Sequence, residues 1–95
     1  MSYRIKEIQK EKAKKLGVDI KPSTEKKKKL DVFKNGEKVA SIGAIGYKDY
    51  GTYLEELPKK DADKKRKNYL ARHSKEPKMK NGKRTNSYYA DKILW

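Results

Sequence analysis

The sequence predicts a small α+β domain: one central β-hairpin, with a third short strand near Ile45, covered by helices and preceded by a basic N-terminal helix. Three observations carry this. Asn35-Gly36 stands between two short apolar strands, the favoured centre of a type I′ turn. The segments on either side have helical rather than alternating patterns, with turn residues between them. The apolar residues gather in the middle of the chain, and 95 residues make one domain at most.

Taken in order, Ser2 is placed to cap a first helix running to about Leu16, with Ile5, Ile8, Lys12, Ala13 and Leu16 on one face. Gly17 suits the left-handed position after its end, and Lys14 and Lys15 suit the negative end of its dipole. Val18 to Thr24, with Pro22, reads as an extended connector, so residues 1–25 form a helix-and-connector segment ahead of a core over 26–95. In the hairpin, residues 29–33 and 38–42 pair so that Phe33 faces Lys38 and Val32 faces Val39. Leu30, Val32, Val39 and Ser41 then share one face. A lone hairpin is barely stable, so helices must cover it.

Gly43-Ala44-Ile45-Gly46 is a small-residue bend. Asp49 is positioned to cap a helix over 50–57 that Pro58 ends. Asp61 or Asp63 starts a longer helix to about Ser74, with Ala62, Arg66, Tyr69, Leu70 and His73 inward. Residues 76–86 read as a basic loop, and Ser87 caps a last turn whose apolar end, Ile93-Leu94-Trp95, folds back on the core.

Charge is distributed unevenly. Residues 1–29 hold eleven Lys/Arg against four acids, 30–57 three against five, and 58–95 thirteen against four: segment charges of +7, −2 and +9 within a net +14. A slightly acidic core with two cationic flanks is the electrostatic footprint of a polyanion binder. Lysines number twenty-three and arginines four. Lysine is a mobile point charge suited to phosphate, whereas Arg forks onto base edges, so sequence-independent backbone contact is expected.

With 42% charged and 34% hydrophobic residues the core is thin, and a domain this size buries only about 60% or a little more of its unfolded surface, so its stability is marginal. With no Cys in the chain and His73 alone, neither a disulfide nor a zinc site is available. Homo-oligomerisation and linkage to a bound polyanion remain as stabilising routes. No run of about 18 apolar residues exists to span a membrane.

Three basic clusters are the candidate nucleic-acid contacts. The first, Lys26, Lys27, Lys28 and Lys29, reads equally as a phosphate clamp, a localisation signal or a soluble linker guarding an edge strand. The second is the helix carrying Lys59, Lys60, Lys64, Lys65, Arg66, Lys67 and Arg72, with Lys60, Lys64 and Lys67 on one face. It has too few acids for internal pairing, so its cations repel unless an external anion is present. The third, Lys78, Lys80, Lys83 and Arg84, is a flexible arm able to follow a duplex.

The tyrosines admit a stacking role on single strands. Completing a core short of aliphatics explains them better, with Tyr88 the exception. His73 has no nucleophile or oriented partner in a recognisable motif, and Gly43 to Gly46 is not followed by the Lys-Ser/Thr of a P-loop. No catalytic residue, metal ligand or cofactor is expected.

Read together, Lys21-Pro22-Ser23-Thr24, the lysine run into Leu30-Asp31-Val32-Phe33, Ile42-Gly43-Ala44, Gly46-Tyr47-Lys48-Asp49-Tyr50, Tyr69-Leu70-Ala71-Arg72-His73 and Tyr89-Ala90-Asp91-Lys92-Ile93-Leu94-Trp95 occur in that order. The set resembles a family of short basic proteins of unknown function from nucleocytoplasmic large DNA viruses, the mimivirus-like giant viruses among them, over residues 13–95. That family has no established catalytic residues. The resemblance implies a viral origin and, with this charge, a place beside the genome in the virion core. During infection the expected location is the host cytoplasm (the viral factory) or the nucleus. The function expected is compaction or packaging of double-stranded DNA through phosphate contacts. The alternative is a structural virion protein whose basic flanks bind acidic partners among the virion core proteins.

Overall fold

The computed structural model describes residues 3–95, so the expected cap at Ser2 lies outside the described residues. The fold is the expected α+β domain. It comprises α1 (Glu7–Leu16), β1 (Asp19–Pro22), β2 (Lys28–Lys34), β3 (Glu37–Ala44), α2 (Tyr50–Glu56), α3 (Lys59–Arg72), β4 (Met79–Lys80), β5 (Lys83–Arg84), α4 (Asn86–Tyr89) and a π-helical turn (Ala90–Leu94).

The principal sheet is antiparallel with strand order β1-β2-β3. Asn35 (φ 53°) and Gly36 (φ 79°) are both left-handed, as the type I′ turn requires. The third strand is β1, not a segment near Ile45. The presumed connector pairs along β2, with Ile20 opposite Val32 and Pro22 opposite Leu30. Pro22 is tolerated because β1 is an edge strand with a free side. The Ile45 N–H donates to the Lys27 carbonyl at 3.1 Å, adding one bond beyond β3.

The hairpin register also differs from the expectation. Lys34 faces Glu37 and Phe33 faces Lys38, but Val32 faces Ala40. A bulge between them leaves Val39 without a direct partner, and it is 39% exposed. The buried face is therefore Leu30, Val32, Ala40 and Ile42. Ser41 lies on the other face, opposite Asp31.

That second face holds a polar network. Asp31, 2% exposed, accepts from Ser23 Oγ (2.6 Å), Ser41 Oγ (2.8 Å) and the Thr24 N–H (3.2 Å). Burial alone would raise its pKa. These three donors, with Lys38 nearby, outweigh burial and hold it below the ordinary carboxylate value.

Helices close the core. Gly17 (φ 75°) ends α1 in the left-handed conformation, as expected. Asp49 caps α2 by accepting from the Thr52 N–H at 2.9 Å. Helix α3 starts at Lys59, two residues before Asp61, because Pro58 occupies the N-cap position. At the end of the chain Thr85 serves as the cap of α4 rather than Ser87, accepting from the Tyr88 N–H at 3.3 Å. Ser87 instead bonds Glu76 and Lys78. The following turn is π-helical, closed by the Trp95 N–H onto the Ala90 carbonyl, and it drives Ile93, Leu94 and Trp95 into the core.

The basic segment 76–86 contains a second small hairpin, β4–β5, around Asn81-Gly82. Tyr50 and Tyr89 are core residues, and Tyr53, Tyr69 and Tyr88 are half-buried. The exposed tyrosine is Tyr47, 76% accessible, rather than Tyr88.

Candidate nucleic-acid interface

Helix α3 organises the basic surface. At about 100° per residue its sequence divides into an inner face and three outer strips. Ala62, fully buried, and Tyr69, stacked on Trp95 at 4.1 Å with 6° between planes, face inward. Lys60, Lys64 and Lys67 form an outward ridge, exposed and with no carboxylate within 4 Å. Lys65 and Arg72 occupy one flank, and Arg66 with Leu70 the other.

The remaining cations of α3 are not equally free. Lys59 is paired with Asp63 at 2.8 Å. Lys65 Nζ lies 5.8 Å from the Tyr53 ring centroid. Arg66 donates from Nε to the Trp95 carbonyl at 2.5 Å and sits over Tyr50, so it anchors the chain end to α3. Arg66 is thus exposed yet tied into the packing through this bond.

In the first cluster Lys26 and Lys27 are exposed and Lys28 half-buried. Lys29 departs from the expectation. It is 5% exposed, pairs with Asp49 at 3.1 Å and donates to the Tyr47 carbonyl. Asp49 also accepts from Tyr3 Oη at 2.5 Å. Burial would raise the Asp49 pKa, but Tyr3, the Thr52 N–H and Lys29 together keep it low. Lys29 is therefore a structural cation, unavailable to phosphate, because β2 turns alternate side chains to opposite faces and its own lies beneath the 45–48 bend.

Lys78, in the third cluster, is likewise withdrawn. It pairs with Asp91 at 2.6 Å and donates to the His73 carbonyl and Ser87 Oγ, tying the residue before β4 to the end of α3, to α4 and to the π turn. Lys80, Lys83 and Arg84 remain exposed on the β4–β5 hairpin, with Arg84 4.7 Å from the Tyr88 ring centroid.

Seven ion pairs among the described residues use seven of the 27 Lys/Arg side chains and leave twenty with no side-chain carboxylate within 4 Å. The three sequence clusters also converge. Lys28, Arg72 and Lys80, one from each, line a single groove of about 1130 Å³ with Tyr53, Tyr69, His73 and Trp95. The two cationic flanks of the sequence thus meet in part on one surface, because the β4–β5 hairpin and the end of α3 line the same groove as the start of β2. On the other flank of α3 a smaller pocket of about 520 Å³ gathers Lys12, Lys15, Arg66 and Lys92. Lys12 is half-buried there, and burial, with Arg66 beside it, lowers its pKa. Lys12, Lys15 and Lys92 were not among the sequence candidates: they belong to no run, and only the fold collects them.

Among the described residues no group of three or more His, Cys, Asp or Glu side chains is arranged to hold a metal ion. Nor, among the described residues, is any helix long and apolar enough to cross a membrane. His73 Nδ1 lies 2.8 Å from Glu76 Oε2, and that contact with the Ser87 hydroxyl lowers the Glu76 pKa. Over residues 18–54, which hold the three-stranded sheet and most of α2, the chain is similar to a family of unknown function, DUF5754. No curated protein and no solved structure matches the chain.

Proposed function

We propose that this protein is a non-catalytic, sequence-independent nucleic-acid binder that compacts double-stranded DNA, in the setting of a viral genome packed in a virion core. The observation that carries the reading is the ridge of Lys60, Lys64 and Lys67, cations on one face of a helix with no carboxylate within 4 Å. Isolated in water, such a face is self-repelling. Against a phosphate backbone each lysine releases a counterion, and the repulsion becomes attraction.

Lysine rather than Arg on the ridge favours backbone contact without base readout. The groove cations and the Lys12–Lys92 pocket flank the ridge on its two sides. A body presenting cations over so wide an arc engages more than one duplex, which condensation requires and simple coating does not. The viral setting rests on the sequence resemblance alone.

The test is a salt titration of binding to unrelated duplexes of equal length, with particles imaged at low salt. Steep, sequence-blind salt dependence with bridged duplexes is the expected result. Weak binding without compaction overturns it in favour of a structural virion protein that binds an acidic partner.

A further inference from the structure

We infer that the groove beside α3 is a binding site for an unpaired nucleotide of single-stranded DNA. The groove lies where the end of α3, the β4–β5 hairpin and the ends of β2 and β3 meet. This deepens the proposed function, on which it rests for the premise that the ligand is a nucleic acid.

Three features argue for a base rather than for phosphate alone. The first is a column of rings. Tyr53 meets Trp95 at 6.0 Å, Trp95 stacks on Tyr69 at 4.1 Å, and Tyr69 meets His73 at 4.2 Å. All four rings line the groove. His73 ends the column, 33% exposed, held in place by Glu76 on Nδ1. A partly exposed ring at the end of a stack is the platform on which an unstacked base lies. In a duplex both faces of each base are covered, so only an unpaired base fits.

The second feature is charge. Lys28, Arg72 and Lys80 surround the rings without a carboxylate within 4 Å. The acids that line the groove are already engaged, Glu76 by His73 and Ser87 and Asp49 by Lys29. The groove therefore presents net positive charge beside the rings, where a nucleotide's phosphates can be neutralised. The third is size and a reading group. At about 1130 Å³ the groove exceeds what a single small ligand needs, roughly 300–1,000 Å³. Asn86 stands exposed on its rim with its amide free to donate and accept at a base edge.

Trp95 is the sole tryptophan and part of the column, so its emission reports on the site directly. The experiment titrates the full chain with a short oligothymidylate, and in parallel with inorganic polyphosphate of equal charge and with a duplex. The oligothymidylate is expected to perturb Trp95 emission and to bind roughly 10-fold tighter than polyphosphate, the size of one base stack. His73→Ala is expected to abolish that advantage, His73→Phe to restore it by replacing the ring, and Arg72→Gln, at an exposed position, to weaken it. Duplex affinity should be unchanged in His73→Ala.

Equal affinity for polyphosphate and oligothymidylate, or an equal loss of single-strand and duplex binding in His73→Ala, overturns the inference and leaves the proposed function standing. Failure of every nucleic acid to bind overturns both.

Discussion

Replacing Lys60, Lys64 and Lys67 together with Gln tests the ridge, and its effect can be worked out in advance. Seven residues of helix at 1.5 Å each place Lys60 and Lys67 about 10.5 Å apart along the axis. A duplex strand presents a phosphate about every 3.4 Å of axis, so the ridge spans about three of them. Each phosphate neutralised contributes about 0.9 to the slope of log affinity against log salt, so the variant's slope should be shallower by about 2.7. Referred to 1 M salt, that is a loss of roughly 500-fold at 0.1 M, the same for every duplex sequence.

The fold should survive, because all three side chains are exposed and Gln is nearly as good a helix former as Lys. Circular dichroism and thermal melting serve as controls, and fluorescence anisotropy over a salt series supplies the slope. An unchanged slope in a folded variant would refute the ridge as the contact surface. Arg66 is left out deliberately, since its bond to the Trp95 carbonyl would confound binding with stability.

Three further outcomes follow from the packing. Lys29→Met should cost about 3–5 kcal/mol of stability in urea unfolding by leaving Asp49 buried and unpaired. Lys27→Met, one pair of residues away on an exposed site, should cost nothing measurable in the same assay. Acid unfolding should depend on Asp31 and Asp49, whose native pKa values lie below the ordinary 3.8. Their contribution is whole above that value and is lost as pH falls through the lower native values, so Asp31→Asn should flatten the stability profile below about pH 4. Finally, Val39→Lys should change stability by less than about 0.5 kcal/mol, whereas Ala40→Lys should cost roughly 3 kcal/mol or more, by the same unfolding measurement.

That last contrast marks where the sequence stopped being readable. Asn35-Gly36 announced the hairpin because few dipeptides accept two positive φ angles. The bulge was invisible, since Val39 and Ala40 are both apolar and alternation predicts either register. Residues 18–24, with Pro22, read as an extended connector. Their pairing with β2 depends on tertiary proximity that local pattern does not encode.

The second hairpin was legible in principle. Asn81-Gly82 repeats the first turn's dipeptide, but its flanks are Lys and Met rather than alternating apolar residues. Of the candidate site, α3 was readable from its shortage of acids. The burial of Lys29 was not: it is the last of four lysines, and strand parity alone does not reveal which face lies under a loop. Nor did the spacing show that Lys28, Arg72 and Lys80 would meet.

The bulge at Val39 bears on colloidal behaviour. Chains crowded along a polyanion meet one another at high local concentration, where an open strand edge templates fibrils. Here β1, at one edge, is four residues long and ends in Pro22. The other edge, β3, runs eight residues, but Val39 interrupts its ladder at the third residue, and its turn end carries Glu37 and Lys38. Neither edge offers a long, flat, uncharged row of amides to a neighbour. The molecule is built to be concentrated without polymerising through its sheet.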